Sequence, residues 1–112
     1  MTEEKENFFD SDDIERSKKL SDDAKRRRVR DLNDIRVILK SPEGRRFLWR
    51  TLSKAGIFRD SFTLNSNQTS YNEGRRSTGL DLLIDLHDAD VLAFARMQQE
   101  FMSEVLSKKE KE

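Results

Sequence analysis

Residues Ser41–Gly56 read SPEGRRFLWRTLSKAG, and they spell a helix together with both of its ends. The Ser41 hydroxyl is suited to accept from the free amides of a first turn. Pro42 fits the first helical position, where its missing N–H is not needed. It also disfavours helical geometry at Ser41, so any preceding helix must stop there. Glu43 puts a carboxylate in the first turn, where the helix dipole favours it. Phe47, Leu48, Thr51, Leu52 and Ala55 recur on one face as an inner stripe. Gly56 then takes a left-handed position past the last turn, from which Ile57 folds back. This predicts a helix over about 42–55 and makes the centre of the chain helical.

Working outward toward the N-terminus, Leu32, Ile35, Ile38 and Leu39 form one helical stripe. They predict a helix over about 22–40, starting either at Ser11 or at Ser21, since each serine precedes a pair of aspartates. The first ten residues are polar apart from Phe8 and Phe9 and read as disordered. Toward the C-terminus, RDSFTLNSNQTS at 59–70 reads as a loop, with Phe62 and Leu64 pinning it to the core. Ser70–Glu73, SYNE, fits a capping box that opens a third helix running to about Leu86. Its apolar anchors are Leu80, Leu83, Ile84 and Leu86. The HDAD stretch breaks the chain, and Asp88 or Asp90 caps a fourth helix. That helix shows a wide stripe of Val91, Phe94, Ala95, Met97, Phe101, Met102 and Val105.

The expected fold is therefore all-α: a small bundle of three to four helices with a long N-terminal helix and charged disordered tails. Residues 1–20 form an acidic extension, 21–107 the helical domain and 108–112 a charged tail. Composition agrees with a small core, because hydrophobic residues make up 34% of the 112 and charged residues 39%. With no cysteine there is neither a disulfide nor a thiolate metal site, which suits a reducing compartment. No apolar run is long enough to span a membrane, and the acidic N-terminus shows no secretion signal. The zero net charge hides a pattern: −5 over residues 1–23, +9 over 24–76 and −4 over 77–112. A basic centre between acidic ends either pairs with those ends or meets an anionic partner.

The tetrad EGRR occurs twice, at Glu43–Arg46 and Glu73–Arg76, each time ahead of an apolar run. The residues after the two copies differ, so shared helix-start chemistry explains them better than duplication. Glycine in a helix costs about 1 kcal/mol against alanine, so its presence predicts that a neighbouring backbone comes close. Gly79 predicts a second such patch. The paired arginines are expected to flank these contacts and lay their stems over apolar surface.

Chemistry is thinly signalled. Lys25, Arg26, Arg27, Arg28 and Arg30 form the densest basic run, and with Arg36, Lys40, Arg45, Arg46, Arg50 and Lys54 they make a basic region across two helices. Such a surface tracks phosphates, or else it is a solvated face paired with Asp22, Asp23, Asp31 and Asp34. No base-reading motif or stacking platform points to specific DNA recognition. Arg45, Arg46, Trp49 and Arg50 have the composition of an interaction hot spot. The competing reading lays Trp49 on the 59–70 loop. Arg75 and Arg76 extend the candidate partner- or phosphate-binding set. His87, the single histidine, lies among Asp85, Asp88 and Asp90 near a helix end, which reads as capping and solvation rather than a metal or acid–base site. The MQQEFM run at 97–102 reads as core filler. No catalytic residue, metal site or cofactor is expected, and the chain reads as no enzyme.

The run from SPEGRRFLWRTLSKAGIFRDSF through YNEGRRSTGLDLLIDL to FARMQQE resembles a family of small proteins encoded by tailed bacteriophages. That family is met among the virion and DNA-packaging genes of short-tailed phages and is named after a Bordetella phage protein. The resemblance rests on PEGRRFL at Pro42–Leu48, GIF with SF at Gly56–Phe62, EGRR with GL at Glu73–Leu80, and Met97 with Glu100. It covers about residues 32–102 and leaves out the N-terminal extension. It implies a virion component or assembly accessory, placed in the bacterial host cytoplasm, in the virion, or in both. The implied partner is a phage structural protein. A sequence-independent nucleic-acid binder for packaging or ejection, and a host-directed inhibitor, are the alternatives. A homo-oligomer paired through the first helix is a further one.

Overall fold

The ends of the helices are set by side chains that the sequence places at their boundaries. The computed structural model describes residues 11–111. These form α1 (Ser11–Leu39), α2 (Pro42–Lys54), α3 (Ser66–Ala89) and α4 (Ala93–Lys111), with no strand among the described residues. The fold is all-α. The Ser41 hydroxyl accepts from the Gly44 amide at 3.0 Å, and Pro42 occupies the first turn of α2. Gly56 ends that helix at φ 81°, where only glycine is unstrained. Asp90 closes α3 by donating its amide to the Leu86 carbonyl, and its Oδ1 accepts from the Leu92 amide at 3.0 Å. Asp90 therefore organises the α3–α4 corner.

The chain divides into two units, residues 1–31 and 32–112, with α1 running through the boundary. In residues 11–31 every side chain is exposed except half-buried Asp23, which accepts from Arg26 at 2.8 Å. The helix starts at Ser11, with Asp12 and Asp13 in its first turn, and does not restart at Ser21.

In residues 32–112, α2, α3 and α4 pack on one another pairwise. The buried core is Leu39 from α1, Leu48 and Leu52 from α2, Leu86 from α3, and Ala93 and Met97 from α4. Leu52 and Leu86 are 0% exposed. Each such leucine contributes about 1.5–3 kcal/mol through removal of its side chain from water. Ile35, Trp49, Ile57, Leu82 and Leu83 line the border. Two glycines hold this packing close. A Cβ on Gly44 would drive into the Ile38 carbonyl oxygen, and one on Gly79 would lie 2.6 Å from the Ala55 Cβ. Gly74 faces open space, so its tetrad makes no close contact through the glycine.

Several expectations change. Phe47 is 55% exposed, while Arg45 is buried on the face that carries Leu48 and Leu52. Helix α3 starts at Ser66, capped by Asn65 Oδ1 accepting from the Gln68 amide at 3.1 Å, so the Ser70–Glu73 capping box does not form. The Thr69 hydroxyl accepts from the Thr63 amide at 2.8 Å, and this fastens the loop to the first helical turn. Phe62 and Leu64 are exposed and do not pin the loop; its threonines and Asn72 hold it instead. Only part of the α4 stripe is buried: Met97 is 2% exposed, but Phe101, Met102 and Ala95 face outward and Val91 precedes the helix. Helix α4 continues through Lys111, with Ser107, Lys108, Lys109 and Glu110 exposed. The reading of residues 1–10 as disordered lies outside the described residues.

Candidate functional site

The basic residues of the 32–112 unit take two different roles. Arg45 is 6% exposed and works inside the unit. Its Nε donates to Glu100 Oε1 at 2.8 Å, and its Nη1 donates to the Leu39 carbonyl at 2.8 Å. It therefore ties the end of α1 and the middle of α4 to α2. Arg96 shares Glu100 at 3.3 Å. Arg45 is accordingly a buried clamp within the unit, its guanidinium engaged by a carboxylate and a helix-terminal carbonyl. Arg36 acts in a parallel way, since its Nε donates to the Ala89 carbonyl at 2.7 Å and so places a cation on the C-terminal end of α3.

Arg46, Arg50 and Lys54 are exposed and fall four residues apart on α2, which puts them on one face. Trp49 lies beside them, half-buried. Its ring stacks on Phe101 with centroids 5.2 Å apart and tilts against Phe58 at 5.2 Å and Phe94 at 5.6 Å. Trp49 covers the edge of the core, and its contact with Phe58 is in the turn that follows α2, ahead of the 59–70 loop. An open groove of about 480 Å³ runs here, floored by Trp49, Met97 and Phe101. Arg46 and Arg50 stand on the α2 wall, and Glu100 and Glu104 on the α4 wall. Arg50 also sits over the Phe47 ring at 5.8 Å, and Arg46 has only a long contact to Glu43 at 3.9 Å.

A second cleft, of about 390 Å³, opens where α2 ends. Arg50, Lys54, Arg59, Asp60, Asn72 and Arg75 line it. Arg75 donates to the Lys54 carbonyl and lies over the Tyr71 ring at 5.6 Å. Arg76 is half-buried on α3.

Lys25, Arg26, Arg27, Arg28 and Arg30 belong to the other unit, where all five are exposed on α1. Arg26 pairs with Asp23, and Arg30 approaches Asp31 at 3.8 Å. Sequence reasoning does not single out Phe101, Arg59 or Asn72 as site residues. Phe101 carries a signal as part of an overwide stripe on α4, more apolar surface than three helices can cover. Arg59 and Asn72 carry none, since only the turn at Gly56 brings the loop back to α3.

Among the described residues no group of three or more His, Cys, Asp or Glu side chains is placed to hold a metal ion, and no helix is long and apolar enough to cross a membrane. No curated protein and no solved structure matches the chain. The sequence profile of the Bbp19-like phage proteins matches residues 35–99, which contain Trp49 and every cation of both α2-centred openings. That span is more than half of the chain, and the chain belongs to the Bbp19-like phage protein family.

Proposed function

We propose that the chain is a non-enzymatic bacteriophage accessory protein that docks on a larger virion protein through the exposed face of α2. It acts in the host cytoplasm, in the virion, or in both. One observation carries the reading: Trp49 lies half-buried at the floor of an open groove, stacked on Phe101 and bordered by exposed Arg46 and Arg50. Aromatic and arginine side chains concentrate binding energy at interfaces, because a ring buries much area with little rotamer loss and a guanidinium makes directional bonds. The fitting partner surface offers an apolar or aromatic side chain for the floor and a carboxylate for the α2 wall. Membership of a phage family supports a phage partner.

The test has two arms. Mass spectrometry of purified particles and assembly intermediates should detect the chain in at least one of them. Phage carrying Arg46→Glu with Arg50→Glu should lose the chain from that fraction while the protein stays folded, since both side chains are exposed. Absence of the wild-type chain from both fractions would overturn the proposal.

A further inference from the structure

The cleft at the end of α2 shares Arg50 and Ser53 with the groove but has a different chemistry. Four cations, Arg50, Lys54, Arg59 and Arg75, converge on it with a single carboxylate, Asp60. None of the four forms an ion pair among the described residues. Asp60 is partly engaged, because its Oδ1 accepts from the Phe62 amide at 3.0 Å. The lining therefore carries three uncompensated positive charges, held in one cleft where mutual repulsion opposes the arrangement.

The end of a helix ordinarily repels anions, since its terminal carbonyls carry partial negative charge. Here three of those carbonyls are occupied. The Thr51 carbonyl accepts from the Ala55 amide, the Ser53 carbonyl from the Gly56 amide and the Lys54 carbonyl from Arg75. The Gly56 carbonyl in turn accepts from the Arg59 amide at 3.2 Å, which fixes the turn that delivers Arg59. Arg75 uses one of its five donors on Lys54, so the rest of its fork is available for a tetrahedral anion. Asn72 donates to the Ser61 carbonyl at 3.3 Å and holds the far rim in place.

We propose that this cleft is a phosphate site, formed by Arg50, Lys54, Arg59 and Arg75, and that the phosphate it takes is borne by nucleic-acid backbone. Lys54 and Arg59 line the cleft but not the aromatic groove, so the site stands or falls independently of docking through Trp49. Cations that contact phosphates bind backbone irrespective of sequence and release counterions as they do so.

The experiment compares the full chain with a Lys54→Gln, Arg59→Gln variant, and uses a Lys25, Arg26, Arg27, Arg28, Arg30 all-to-Gln variant as the control for the basic run on α1. Thermal unfolding with inorganic phosphate against chloride at equal ionic strength probes the shared chemistry. Binding of labelled duplex DNA across a salt series probes the nucleic-acid source. Phosphate should raise the wild-type midpoint and not that of the cleft variant. The cleft variant should bind DNA about tenfold more weakly, with a salt slope smaller by roughly 1.8, the value for two lost phosphate contacts. Equal midpoints without phosphate show that the variant is folded. Loss of the phosphate shift with unchanged DNA binding would keep the phosphate site and overturn the nucleic-acid source. No phosphate shift in the wild type, with DNA binding lost only in the α1 control variant, would overturn the site itself.

Discussion

The two copies of EGRR invite direct comparison, because identical residues meet different fates. In the first copy Gly44 presses against the end of α1, and Arg45 turns inward to a carboxylate and a carbonyl. In the second, Gly74 faces open space and Arg75 lies on the surface, reaching the Lys54 carbonyl and the Tyr71 ring. The difference is one of position. Glu43 opens α2 directly after a two-residue break, so its neighbours meet the end of the helix just left behind. Glu73 sits in the interior of α3, well past a start at Ser66, with Gly79 making the close approach instead. A short motif sets local propensity; the element that arrives beside it decides what each side chain becomes.

The glycines should separate the copies most sharply. Gly44→Ala forces the α1–α2 junction apart and is expected to cost about 3 kcal/mol, the upper end of overpacking effects. Gly74→Ala should stabilise by up to about 1 kcal/mol, through helix propensity and reduced freedom of the unfolded chain. Urea unfolding of the two variants gives opposite signs if the contrast is real, and the same sign breaks it. Next come the arginines. Arg45→Ala leaves Glu100 and the Leu39 carbonyl without their donor and should cost about 2 kcal/mol, less than a fully buried pair because Glu100 is partly exposed. Arg75→Ala should stay within about 0.5 kcal/mol, as surface substitutions do. A double-mutant cycle of Arg45→Ala with Glu100→Gln should show coupling, and additive effects would deny the clamp. The smallest contrast lies in the acids. Glu43→Gln removes a first-turn charge and should cost about 0.3–0.5 kcal/mol at low salt, while Glu73→Gln should be nearly silent. Matched losses at the two positions would place Glu73 at a helix start after all.

Much of the fold is legible where a residue type has one physical use. Ser41 with Pro42 marks a helix start, Gly56 marks its close, and the stripe through Leu48 and Leu52 finds the core. Arg45 is less legible, because a guanidinium in a basic run reads as surface. Its spacing of three and seven residues ahead of Leu48 and Leu52 places it on the buried face, and that register is the available clue. The start of α3 is ambiguous for a different reason. Asn65 and Ser70 are both good caps, and the contest is settled by threonine hydroxyl bonds between residues 63 and 69 that local propensity does not contain. Phe62 and Leu64 mislead, since alternation with polar neighbours describes a pinned loop but does not create one. The aromatic groove is half legible: Trp49 and its arginines stand together in the chain, but Phe101 reaches them only through the packing of α4 on α2. The phage family is visible in the motifs themselves, and the matching profile covers nearly the same span.

Trp49 is the only tryptophan in the chain, and it forms part of the groove floor. The protein therefore carries its own optical reporter. Emission excited selectively from that indole should change when a partner side chain stacks over it and displaces water. No dye or tag is needed, so occupancy can be followed in the native sequence against any probe that lacks an indole of its own.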